Sequence, residues 1–208
     1  MPELTVRALA ELINLPAYEQ IRILHEQKYP KKSPQFFKIP YYSHALKSIR
    51  QYYLSGRDQK VLQENRILIG TSVKLESRRE NNLRVIQCFE NSVQVNRNIK
   101  IQINKRYMIE IGQVQIKLNF DISGKENGDE KRIFYNLRQS PIYDETARTT
   151  LEISKWILEQ NQVNIPLRNF EYVDLANNRS LFYNRIRNRT IDRMITNCGI
   201  IETLWEKV

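Results

Sequence analysis

The sequence predicts a mixed α/β fold, with a helical N-terminal region over residues 1–62 and an α/β core over residues 63–208 that ends in a helix. Three observations predict it. Apolar residues recur at helical spacing through the first sixty or so positions, and past residue 98 the period falls to two in consecutive short runs. A widely apolar helical stretch then lies between two strand-like runs, and the passage from Ile133 to Asp174 is long enough for a right-handed crossover joining parallel strands.

The N-terminal elements follow from their punctuation. In "LTVRALAELINLPAYEQIRILHEQ", Thr5 is placed to cap a short amphipathic helix, Asn14 to Pro16 to turn the chain, and Tyr29 and Pro30 to stop a second helix. A third helix is expected from near Ser43 to Gly56, with Leu46, Ile49 and Tyr53 on one face. Ala10 and Asn14 make the first two helices loosely similar to a helix-turn-helix, but Glu19 and Glu26 on the second would face phosphates; the alternative is a helical hairpin packed on the core. The loop "YPKKSPQFFKIPYY" is basic and aromatic, and "RDQKVLQEN" reads as a polar connector to the core.

In the core, "LESRRENNLRVIQCFEN" fits a helix with Leu83, Ile86 and Phe89 inward and Arg78, Arg79 and Arg84 outward or at its rim. The runs "NIKIQIN", "RYMIEIG" and "VQIKLNFDI" alternate and are closely spaced, which predicts an antiparallel meander. A turn over "SGKENGDE" leads to a fourth strand, "GDEKRIFYNLRQ". The helix from Asp144 to Gln160 carries Arg148, Glu152, Lys155 and Glu159 on one narrow stripe, so its wide apolar remainder must be covered on more than one side. "FEYVDLA" and "RSLFYN" flank an Asn-Asn turn, and a last helix ends near Trp205.

The net charge of +10 points to a polyanionic partner, DNA or RNA, against the plainer reading of solubility. The charge is uneven: "RSLFYNRIRNRTIDR" sets Arg179, Arg185, Arg187, Arg189 and Arg193 against the single acid Asp192, with Phe182 and Tyr183 among them as stacking faces. Arg78, Arg79, Arg138, Lys31 and Lys32 complete the candidate nucleic-acid contacts. A basic surface of this kind also fits an acidic protein partner. No apolar run of about 18 residues exists, and the N-terminus carries acids where a secretory leader needs bases, so a cytoplasmic protein without membrane contact is expected. Two cysteines and two histidines without ligand spacing point to reduced thiols and to no zinc site. Neither a phosphate-binding Gly-rich loop nor a G-x-S-x-G elbow is present.

The order helix, antiparallel meander, strand, crossover helix, strand, with Asp121 closing the third meander strand in "LNFDISG", is similar over residues 72–183 to the core of the PD-(D/E)xK nuclease superfamily, the restriction-endonuclease-like fold. The resemblance implies a helix Glu, a strand-end Asp and an acid-x-Lys converging on Mg²⁺, which activates water against a phosphodiester. It assigns Asp121 to the strand-end acid and Glu76 or Glu80 to the helix acid. Phe134 and Asn136 stand where acid-x-Lys belongs, and neither supplies the chemistry. The resemblance therefore implies a degenerate, non-catalytic member that binds nucleic acid or serves in an assembly and needs no cofactor. Two alternatives stay open: an active Mg²⁺-dependent nuclease with Asp121, Glu130 and Lys131 as migrated residues, and an Asn136 that is simply a paired amide in a buried strand.

Overall fold

The computed structural model describes residues 1–29 and 40–207. Lys31, Lys32, Phe36 and Phe37 lie outside them.

Thr5 ends a short strand, β1 (Glu3–Thr5), and its hydroxyl accepts from the Ala8 N–H to start α1 (Val6–Ile13). Asn14 and Pro16 turn the chain into α2 (Ala17–Lys28). After α3 (Ser43–Leu54) comes α4 (Gln59–Ser72), in the stretch expected to be a connector. Asp58 caps it through the Lys60 N–H, and Leu62 and Ile69 bury one thin stripe. A stripe that narrow inside a polar sequence is what the composition concealed. The helix α5 (Glu76–Glu90) follows, and the boundary expected at residue 62 thus falls within α4.

The strands are β2 (Lys100–Ile101), β3 (Tyr107–Ile111), β4 (Val114–Leu118), β5 (Ile122–Glu126) and β6 (Asp129–Asn136). After the crossover helix α6 (Asp144–Gln160) come β7 (Phe170–Asp174), β8 (Arg179–Leu181) and α7 (Asn188–Lys207). They form two sheets, β1-β4-β3 and β2-β5-β6-β7-β8, with β6 and β7 parallel as the crossover requires.

The meander is therefore corrected. Its expected third strand breaks at Asn119–Asp121, leaving β4 in the small sheet and sending β5 into the large one. The physical reason is that Phe120, Asp121 and Ile122 are all buried: β4 directs Val114, Ile116 and Leu118 into one core, and Ile122 belongs to another. "SGKE", expected as the start of the turn, is strand. The true turn is Asn127-Gly128, both at positive φ, the two-residue hairpin geometry that matches strand twist.

The large sheet lies between two apolar clusters. On one face, Phe134, Phe170 and Tyr172 join Leu4, Leu9, Leu12 and Leu24, the small sheet, α6 and α7. On the other, Ile133, Tyr135 and Val173 meet Ile49, Tyr53, Leu62, Ile69, Ile86 and Phe89 from α3, α4 and α5. Strands covered on both faces read as continuous apolar runs, as "IFY" does. The helix α6 is covered by α1, α7, β3 and β7, and both of its expected ion pairs form, Arg148–Glu152 at 2.8 Å and Lys155–Glu159 at 2.7 Å. The first two helices pack as a hairpin on the core: Asn14 donates to the Ala10 carbonyl and Gln20 to those of Leu12 and Leu15, while α2 lies on α7. Both cysteines are free thiols, and burial pushes that of Cys198 up to about 11.

A candidate nucleic-acid interface at the end of the central strand

The break between β4 and β5 sets Asp121 beside the C-terminal half of β6, where its N–H donates to the Ile133 carbonyl. The Asp121 side chain is 5% exposed and clamped. Arg7 of α1 donates through Nη1 to Oδ2 at 2.9 Å and through Nη2 to Oδ1 at 3.1 Å, and the Tyr135 N–H donates to Oδ2 at 2.8 Å. Such a bidentate pair fills the directions in which a carboxylate would offer lone pairs to a metal. The guanidinium carbon also stands 5.2 Å from the centroid of the Phe134 ring, a cation–π contact. A cation of the protein's own thus occupies both positions at which acid chemistry was sought.

Asn136 ends β6. Its Nδ2 donates to the Ser140 carbonyl at 2.8 Å and its Oδ1 accepts from the Arg138 N–H at 3.2 Å, which closes a local turn between strand and loop. This is the paired amide of the plainer alternative.

Around this point three further arginines converge. Arg50 of α3 donates to the Asp121 carbonyl at 2.8 Å, and Arg84 of α5 donates to the Leu137 carbonyl at 3.0 Å. Neither has a carboxylate partner among the described residues. Arg138, its side chain 64% exposed, pairs with Glu11 at 3.2 Å. Burial, then Arg78 and Lys47, hold His44 of α3 below its usual range. Sequence reasoning missed Arg7 and Arg50 and placed Arg84 only at a rim. No spacing signals them, since Arg7 lies 114 residues from its carboxylate.

The other candidates fare unequally. Glu76 and Glu80 are exposed, Glu76 lying 3.9 Å from Arg79, and no group of three His, Cys, Asp or Glu that could hold a metal ion occurs among the described residues. Arg78 is buried, donating to the Pro40 carbonyl at 2.6 Å and to that of Tyr41 at 3.2 Å. In the arginine-rich tail, Arg187 grips Glu145 through two bonds of 2.9 Å and reaches the fully buried Glu152 at 3.2 Å. The hydrogen bond from Arg187 holds the Glu145 carboxyl below its ordinary range. Arg179 pairs with Asp144 at 2.7 Å, and Arg193 lies 3.7 Å from Glu145. Arg185 and Arg189 are exposed and make no ion pair among the described residues. The acids that answer this tail stand at the start of α6, some forty residues earlier in the chain.

Lys131, the alternative catalytic cation, points into a network at the other end of β6. It lies 2.9 Å from Glu171, which Arg97 also holds at 2.6 Å while reaching Glu126 at 2.6 Å; Glu130 pairs with Arg132 at 2.7 Å. No helix among the described residues is long and apolar enough to cross a membrane.

No protein-family model matches the sequence, and no curated protein matches it. Among solved structures, the chain is similar to a protein of Eubacterium rectale provisionally named an exonuclease, with a TM-score of 0.53 and 11% identity over 98% of this chain and 81% of that one. At that identity the likeness shows the fold alone, a mixed α/β fold. The crystal structure of SSO0001 superposes at a TM-score of 0.34, too low to carry an argument.

Proposed function

We propose that the protein binds DNA or RNA without hydrolysing it, as a cytoplasmic nucleic-acid-binding or assembly subunit on a degenerate PD-(D/E)xK fold. The observation that carries the reading is the clamp on Asp121. A carboxylate gripped by two guanidinium nitrogens and a backbone N–H has little left for Mg²⁺, and the acid-x-Lys positions hold an aromatic ring beneath that same guanidinium and a turn-closing amide. On this reading no cofactor is required. The half-buried Arg50 and Arg84 and the exposed Arg138 form the contact surface, each anchored with guanidinium donors to spare for phosphate oxygens. The migrated nuclease is disfavoured because Lys131 and Glu130 are each engaged away from Asp121.

The test combines two measurements. Fluorescence anisotropy with single- and double-stranded DNA and RNA over a salt series should show binding that weakens with salt. Arg50→Gln, Arg84→Gln and Arg138→Gln should each flatten the slope by roughly one. Incubation with plasmid or RNA in Mg²⁺ or Mn²⁺ should leave both intact. Cleavage abolished by Asp121→Ala would overturn the non-catalytic reading. Failure to bind any nucleic acid would favour an acidic protein partner for the same surface.

A further inference from the structure

The small sheet ends on β3, and among the described residues no element pairs with or extends its outer edge. On the face turned to the core, Val114, Ile116 and Leu118 of the central strand are fully buried, whereas Tyr107, Ile109 and Ile111 of β3, directed the same way, are only half-buried. On the opposite face Met108 is 50% exposed; Ile103, in the segment between β2 and β3, is 91% exposed. An open edge of this length is a template for pairing with another strand.

The backbone groups it offers follow from the hairpin. Gly112 and Gln113 alone join Ile111 to Val114, so Ile111, Ile109 and Tyr107 exchange hydrogen bonds with β4. The alternate residues Met108 and Glu110, with Arg106 before them, turn their N–H and C=O to the open side. The neighbouring strand agrees: Gln115, opposite Glu110, directs its N–H away from β3 and donates it to the Pro2 carbonyl at 3.0 Å.

The outward residues therefore read cation, thioether, anion. We infer that β3 pairs antiparallel with β3 of a second copy of this chain about a two-fold axis at Met108, joining two three-stranded sheets into one of six. In that register Arg106 of each copy faces Glu110 of the other, and Tyr107 faces Ile109 on the core side, covering the half-exposed row. Registers centred on Arg106 or Glu110 set like charges opposite each other, and those centred on Tyr107 or Ile109 spend a charged residue against Met108. Charge complementarity thus selects both the occupant and the register.

Sedimentation velocity of the full chain across a concentration series tests this, with circular dichroism to confirm that each variant is folded. The wild type should show reversible dimerisation. Arg106→Glu and Glu110→Arg, each placing like charges together at two symmetry-related positions, should weaken it by about tenfold. The double variant, which exchanges the two charges, should recover the wild-type dimer. A wild type that stays monomeric up to about 1 mM overturns the inference. So do single variants that dimerise normally, and so does a double variant that fails to recover.

Discussion

Replacing Arg7 by Met removes the clamp on Asp121 while keeping most of the side chain's apolar length. Breaking a buried ion pair from one side costs about 3–5 kcal/mol, because the remaining charge stays desolvated. Two features of this site lower the expectation. The Arg7 side chain is 36% exposed, so water reaches the gap, and Asp121 retains the Tyr135 N–H at 2.8 Å. Loss of the 3.3 Å bond to the Tyr135 carbonyl and of the contact with Phe134 acts in the other direction. The expected cost is about 2–3 kcal/mol, or roughly 4–12 °C in Tm for a chain of this size. Asp121→Asn keeps an acceptor for the Tyr135 N–H and removes the charge, so it should cost about 1–2 kcal/mol. In the double variant no charge remains buried, and its cost should fall short of the sum by about 1–2 kcal/mol. Urea unfolding of the four proteins measures the cycle. Additivity within about 0.5 kcal/mol would show that Arg7 and Asp121 are not energetically coupled, and the proposed clamp on Asp121 would fail with it.

Further outcomes are expected for four other parts of the molecule. Arg97→Met strands Glu126 and Glu171 and should cost about 3–5 kcal/mol. The same change alters acid stability. Burial would raise the Glu171 carboxyl, but Arg97 and Lys131 outweigh it and hold it below its ordinary range, so its contribution is present above the unfolded value and lost as pH falls through the lower folded one. Without Arg97 the acid-unfolding midpoint should move to higher pH, and an unchanged midpoint in a pH titration of ellipticity would refute this. Gly124→Ala builds a Cβ 2.6 Å from the Lys100 carbonyl oxygen and 2.8 Å from Ile99, a backbone approach that cannot relax freely, and should cost about 1–3 kcal/mol by chemical denaturation. Arg187→Gln should destabilise the fold, since Arg187 holds Glu145 and Glu152, whereas Arg185→Gln with Arg189→Gln should leave stability within about 0.5 kcal/mol and lower only polyanion affinity. A chain starting at Val61 should aggregate, because it lacks Leu4, Leu9, Leu12 and Leu24 of one cluster and Ile49 and Tyr53 of the other; cooperative unfolding of that fragment would instead support a separable region over residues 1–62.

Local chemistry alone determined the mixed α/β class, the Thr5 cap, the crossover helix between parallel strands, the ion-pair stripe of α6 and the hairpin over Asn177-Asn178. Each depends on residues within about one helical turn or one strand, so its cause is written next to its effect. Asp121, Phe134 and Asn136 are singled out by a resemblance to a nuclease core rather than by any local rule. Tertiary structure alone decided what surrounds them. Arg7 reaches Asp121 across 114 residues, the tail arginines are answered by Asp144 and Glu145, and Arg50 and Arg84 arrive from two other helices. An arginine reads the same in sequence whether it is solvated or gripped by a buried acid, because its charge is local and its partner is not. The splitting of the meander has the same origin: alternation marks "VQIKLNFDI" as strand, but which of two cores receives Leu118 and which Ile122 is fixed only when both cores exist.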